Sequence, residues 1–225
     1  MKRTLLVGPI AAAWASFAPL AAEIAPVKVD APAGVYKLDK THASLIFRVS
    51  HMGFSNYTAR FTRFDATLDL DPAKPAAARL TATVDAASLE TDFPTPEIVD
   101  FNAELRGPQW LDAGKFPTMT YRSTAIEMTA PNAARIVGEL TLRGVTKPVT
   151  LMAVFNGGYP GMAGLDPNAR IGFSATGTLN RSDFGIAYGI PAPGSNMGVS
   201  DKVEIIIETE FNGPALPPAA PATKP

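Results

Sequence analysis

Between Tyr36 and Phe211 apolar and polar residues alternate with a period of two, and no other feature constrains the fold as strongly. A strand points successive side chains to opposite faces, so this alternation marks strands that are half buried in a sheet. Leu45, Phe47, Val49 and His51 alternate with Ser44, Arg48 and Ser50, with Ile46 as the exception. Phe64, Ala66, Leu68 and Leu70 repeat the pattern, followed by Leu80, Ala82, Val84 and Ala86. Met119 to Met128, then Ile136, Gly138, Leu140 and Leu142, then Val149, Leu151, Ala153 and Phe155 continue it. Ile171, Phe173, Ala175, Gly177 and Leu179 precede the clearest run, Val203, Ile205, Ile207, Thr209 and Phe211. About eight strands result.

One dry and one wet face per strand is the signature of an antiparallel sheet. Without interleaved crossover helices, eight such strands predict an all-β, up-and-down antiparallel barrel of lipocalin-like type, because closure removes exposed edges. A β-sandwich is the alternative. Hairpins are expected at Asp71 to Pro75, at Ala130-Pro131-Asn132 and from Gly144 to Pro148. The opposite parity of Phe61 and Phe64 predicts a bulge between them, either a corner for curvature or a device that re-aims side chains at a rim. A short helical insertion interrupts the strands near residues 95–113. Thr95-Pro96 reads as N-cap and first turn, Ile98, Phe101 and Leu105 recur at helical spacing, and Gly107 suits the stop. A further turn carries Trp110.

Residues 1–22 read as a signal peptide: Lys2 and Arg3 precede an uncharged stretch from Leu5 to Leu20, and Ala21 and Ala22 suit cleavage. A retained membrane helix is the alternative, disfavoured by Pro9 and Pro19. The expected location is the periplasm, by export. Residues 23–34 read as a loose lead-in, 35–212 as the barrel, and 213–225 as a disordered Ala/Pro tail.

The 225 residues hold 20 Lys or Arg, 21 Asp or Glu, two His and no Cys. The charge balance opposes nucleic-acid binding, which needs a clustered basic surface. Without Cys there is no thiol catalysis, iron–sulfur cluster or disulfide. His42 and His51 differ in parity and lie about 30 Å apart on a straight strand, so they share no metal. No nucleophile–base pair, phosphate loop or zinc spacing occurs. No cofactor and no catalysis are expected. Arg181 and Asp183 read as an ion pair fixing the Phe184-Gly185 turn. Thr146 and Lys147 read as turn residues, and Gly157 to Gly161 as a loop. An eight-stranded barrel is either filled by its side chains or able to hold one small ligand, and the mixture of Phe with Ala and Gly leaves both open.

The run Thr41-His42-Ala43-Ser44-Leu45-Ile46-Phe47-Arg48-Val49-Ser50-His51-Met52-Gly53-Phe54-Ser55 resembles the YceI-like family. The resemblance continues through Phe116-Pro117, Gly138-Glu139-Leu140-Thr141-Leu142-Arg143-Gly144-Val145-Thr146-Lys147-Pro148-Val149 and Asn180-Arg181-Ser182-Asp183-Phe184-Gly185-Ile186. These motifs, in order, span about residues 35–212. The resemblance implies an exported barrel that holds a polyisoprenoid lipid in an elongated apolar cavity. Ligand contacts are then expected from Leu45, Phe47, Val49 and His51 on one strand, from Phe61, and from Phe101 and Leu105 on the helix. Leu140, Phe173, Ala175 and Phe184 join them, with Trp110, Phe116 and Tyr121 either lining the mouth or packing the helix. Where many family members carry Arg-Asp at the helix, this chain has Phe101-Asn102, which favours a neutral head group such as a quinone ring. Association of some relatives with membrane cytochromes points to isoprenoid quinone, with transient contact to a membrane or a membrane cytochrome and a homodimer as candidate partnerships. The competing readings are a lipid isomerase or hydrolase using the same pocket, and a cavity-free structural or stress barrel.

Overall fold

The computed structural model describes residues 30–216. The alternating segments form ten strands: β1 (Gly34–His51), β2 (Ser55–Phe61), β3 (Phe64–Leu70), β4 (Arg79–Asp85), β5 (Leu89–Thr91), β6 (Thr118–Ala130), β7 (Ala133–Leu142), β8 (Val145–Tyr159), β9 (Asn168–Asn180) and β10 (Val199–Ala215). All neighbours pair antiparallel, and β10 pairs back onto β1 along its length. That last pairing closes a ring of eight strands, β1, β3, β4, β6, β7, β8, β9 and β10, and excludes the sandwich. The short β2–β5 pair extends the wall beside the second half of β1.

The parity change at Phe61/Phe64 is a break between two strands rather than a bulge within one. The first residues of β1 pair with β3 and the last with β2, so the partner chain must step at Thr62-Arg63. Buried Ser88 bridges the step, its hydroxyl accepting from the Arg63 amide at 3.0 Å and donating to the Asp85 carbonyl at 2.7 Å. Phe61 and Phe64 can thus both face inward.

β1 itself slips register against β10 between Leu38 and Ala43. Asp39 pins the slip: its carboxylate accepts from the Thr41 amide (3.0 Å), the Thr41 hydroxyl (2.6 Å) and the Arg170 guanidinium (2.7 Å). Arg170 also bonds Asp166 at 3.1 Å and Glu210 at 3.1 Å. Asp39, His42 and Glu210 place ligand-type atoms within 4.8 Å of one another, but Arg170 already donates to both carboxylates. The cluster is an ion-pair network that staples β1, β9 and β10.

The helix is shorter than expected. α1 spans Phe101–Arg106, capped by the Asp100 carboxylate on the Ala103 amide (2.8 Å) and stopped at Gly107. Thr95 accepts from the amides of Ile98 and Val99 in one isolated turn. That turn does not propagate because Ile98 stays 76% exposed, with no core to pack on. Thr146, Lys147 and Pro148 lie in β8, not in a turn, because Arg143 and Gly144, both with positive φ (51° and 74°), complete the hairpin between them. Gly157 and Gly158 likewise belong to β8, which bulges between Phe155 and Gly157.

At the chain ends, Gly213 to Ala215 extend β10 instead of opening the tail. A Cβ at Gly213 would fall 2.6 Å from Tyr36 Cδ1, so the missing side chain lets the backbone lie against that ring. Of the lead-in, Ala31 is buried and the Pro32 carbonyl accepts from the Tyr36 hydroxyl at 2.5 Å. The leader at 1–22 and the last nine residues of the tail lie outside the described residues.

Candidate functional site: an apolar barrel cavity

The inward faces of the strands do not meet. They enclose a cavity of about 780 Å³. Its walls are Leu45, Phe47 and Val49 of β1, Leu80, Ala82 and Val84 of β4, Ile136 and Leu140 of β7, Leu151, Ala153 and Phe155 of β8, Phe173 and Ala175 of β9, and Val203, Ile205 and Ile207 of β10. One end is covered by α1: Phe101 stacks edge-on with Tyr57 (5.7 Å, 89°) and packs on Phe93 (5.3 Å). Asn102 fastens this cover, its side-chain oxygen accepting from the Thr91 amide (2.8 Å) and hydroxyl (2.7 Å). The far end reaches Met128, Pro131 and Asn132 at the β6–β7 hairpin.

Walls of this composition favour an apolar occupant over water.

Not every small residue opens it. A Cβ at Gly138 would meet the Tyr121 ring, and one at Gly177 would fall 2.7 Å from Leu151 Cδ2, so both glycines accommodate neighbours. Ala82 and Ala175 do face the space. Among the described residues, the lining contains no Asp, Glu, Lys, Ser or Cys. Its polar groups are few: His51, Tyr57, Thr120, Tyr121, Asn132, Thr209, Trp110 and Arg181. The Tyr121 hydroxyl is shared between the carbonyls of Ile136 and Val149, each at 3.1 Å, and burial pushes its pKa up to about 12.

Arg181 is not paired with Asp183, which is exposed. It is 4% exposed itself and donates to the carbonyls of Ser200, Ile186, Tyr188 and Val199 at 2.8–3.0 Å. Those bonds hold the loop before β10 against the end of β9. Burial pulls its pKa below the usual guanidinium range, opposed by the charge of Asp201. Asp201 itself accepts from the Ser182 amide and hydroxyl, and Asp183 points to solvent, away from the buried Arg181.

Of the residues nominated from sequence, the structure brings Leu45, Phe47, Val49, His51, Phe61, Phe101, Leu105, Trp110, Tyr121, Leu140, Phe173 and Ala175 to this one cavity. Phe116 and Phe184 lie elsewhere. The Phe116 ring packs over Gly144, where a Cβ would fall 2.8 Å away, with Lys115 5.1 Å from its centroid. Phe184 is turned by the 3₁₀ turn Arg181–Phe184 into a buried cluster with Leu142, Val149 and Ile186, which themselves reach the cavity. His42 stays outside, beside Asp39. Sequence reasoning missed Ile205 and Ile207, although their alternation was plain. It also missed Tyr57, Phe93 and Ile126, for which periodicity gave no inward assignment.

The profile of the YceI-like domain matches residues 36–211. A UPF0312 protein of Pseudomonas putida (strain W619) is 39% identical over 160 residues, covering 69% of this chain and 78% of that protein. The crystal structure of the Campylobacter jejuni YCEI protein is similar with a TM-score of 0.59 at 30% identity, covering 73% of this chain and 90% of that one. A structure described as a polyisoprenoid-binding domain from Saccharophagus degradans, implicated in plant cell wall breakdown, shares the fold at 14% identity, with a TM-score of 0.57 over 80% of this chain and 98% of its own.

Proposed function

The chain belongs to the YceI-like domain family, and from that premise we propose that it binds and carries a polyisoprenoid lipid, with isoprenoid quinone as the favoured ligand, in the periplasm. The observation that carries this reading is the hollow barrel: about 780 Å³ of space with walls almost wholly apolar. A 150 Å³ apolar cavity takes one six-carbon ring, so on that scale this one takes roughly thirty carbons, about six prenyl units. Each buried CH₂ contributes about 0.8 kcal/mol, enough for a prenyl tail to bind through loss of water contact alone. The polyisoprenoid-binding description of the Saccharophagus degradans domain supports the ligand class. The leader-like residues 1–22 support export, and Phe101-Asn102 at the covered end supports a head group without phosphate.

Binding rather than isomerisation or hydrolysis fits a lining that, among the described residues, offers neither a Ser or Cys nucleophile nor a carboxylate base. Transfer to or from a bilayer, or to a membrane cytochrome, is supported by the exposed apolar side chains of Phe54, Ile98, Val99, Tyr188 and Met197 on loops around the α1 end.

The full chain, expressed in a host with a periplasm and purified without detergent, should carry a prenyl lipid at about one per protein by solvent extraction and mass spectrometry. It should also appear in the periplasmic fraction. An empty protein that also refuses hexaprenyl benzoquinone would defeat the reading, and turnover of a labelled prenyl substrate would replace it with the enzymatic one.

A further inference from the structure

The polar groups of the cavity are not spread evenly. Among the described residues, Arg181 is the one permanently charged residue in the lining, and Asp201, the carboxylate that acts on it, lies outside the lining. Its four backbone partners are the carbonyls of Ser200, Ile186, Tyr188 and Val199. A guanidinium has five N–H donors, so one on Nη2 is unspent. Carbonyl dipoles fix the group in place without cancelling its charge, and in a low-dielectric site that charge acts strongly on whatever lies nearby.

Beside it stands Trp110, whose ring centroid lies 5.2 Å from the guanidinium carbon. The ring also packs edge-on against Tyr188 at 5.4 Å. Its indole N–H is buried and has no acceptor among the described residues. Buried indole N–H groups ordinarily find a partner, so this one marks a missing acceptor. Both residues line the same cavity, at the end covered by α1.

We propose that this end is a head-group subsite for an acceptor-only oxygen, held by the charge of Arg181 and the indole N–H of Trp110. The subsite gives the cavity a direction: the ligand's oxygen-bearing head lies at the α1 end, and its hydrocarbon tail runs toward Met128 and Pro131. A quinone carbonyl and a prenyl phosphate both offer such an oxygen, whereas a hydroxyl-free hydrocarbon does not. The inference rests on the lipid-carrier reading and adds to it which chemical group is recognised and by which residues.

Three probes with about the same carbon content separate the cases: hexaprenyl benzoquinone, hexaprenyl monophosphate and squalene, which has six prenyl units and no head. With the full chain, an oxygen-bearing probe should bind about tenfold or more tightly than squalene, the ratio expected for a hydrogen bond assisted by charge. Preference for the quinone identifies a carbonyl source and preference for the phosphate an anionic one; either supports the subsite. Removing Arg181 would also release the loop before β10, so the diagnostic variant is Trp110→Phe, which keeps an aromatic ring beside the guanidinium and deletes the N–H. It should lower the affinity for the preferred probe about three- to tenfold and leave squalene unchanged. The infrared carbonyl band of bound quinone should lie below its position in hydrocarbon solvent, and part of that shift should vanish in the variant. Equal binding of all three probes, with the carbonyl band at its hydrocarbon position, would overturn the subsite while leaving the carrier intact. Failure of every probe to bind would instead bring down the carrier reading beneath it.

Discussion

The Tyr121 ring on β6 occupies the space that a side chain at position 138 of β7 would need: a Cβ on Gly138 would fall 2.5 Å from the Tyr121 hydroxyl oxygen. The glycine is therefore what lets the phenol cross the wall and reach the carbonyls of Ile136 and Val149. A contact that looks like mere packing sets how far this side of the cavity extends.

Gly138→Ala should force the phenol off both carbonyls and destabilise the fold by about 1–3 kcal/mol, the usual range for overpacking. Urea unfolding of the ligand-free protein measures it. A change below about 0.5 kcal/mol would show that the ring has room to yield.

Tyr121→Phe should cost about 1 kcal/mol at neutral pH for the shared hydrogen bond. Its larger signature is alkaline. Burial raises the phenol to about 12 from its ordinary 10.0, so the folded state holds the proton more tightly than the unfolded chain. That contribution is fully present below about pH 10 and is lost as pH climbs toward 12. Wild type should therefore lose on the order of 2–3 kcal/mol more than the Phe variant across that window. Parallel stability curves for the two proteins would refute the burial argument.

Phe173 faces the cavity with its ring 5.4 Å from Phe155 and 6.2 Å from Phe211. Phe173→Glu should abolish uptake of hexaprenyl benzoquinone, because an ionised carboxylate in the tail path is incompatible with hydrocarbon. Circular dichroism checks that the barrel persists. Undiminished uptake by a folded variant would remove Phe173 from the ligand's path.

Asp39 tests the staple. Hydrogen bonds from the Thr41 hydroxyl, then His42, then Arg170, hold its carboxyl well below the usual range. A depressed carboxyl stabilises the fold above its ordinary pKa near 4 and ceases to do so as pH falls toward the lower folded value. Asp39→Asn should lower stability at pH 7 by about 2 kcal/mol and flatten the acid limb below pH 4. An unchanged acid limb would show that the β1 slip is held by other contacts.

Much of this architecture was legible because a strand's side-chain period is local. The inward residues of β1, β7, β8, β9 and β10 could be read straight from alternation. The errors fell where a distant partner outweighs local preference. Thr95-Pro96 carries helix-start signals, yet the helix begins at Phe101, capped by Asp100, where that ring gains Tyr57 and Phe93 to pack on. Gly213-Pro214 reads as a tail, yet the Tyr36 ring offers it a surface. Arg181 and Asp183 look like a pair, but the turn between them sends one into the core and the other to solvent.

By itself, the sequence determined an antiparallel all-β chain with one apolar face per strand, since that pattern depends only on neighbours along the backbone. Whether those faces would meet in a solid core or stand apart around a space for a lipid was decided by tertiary structure. The outcome depends on strand closure from β10 to β1 and on which small residues are filled from across the wall, and both are relations between residues far apart in the chain.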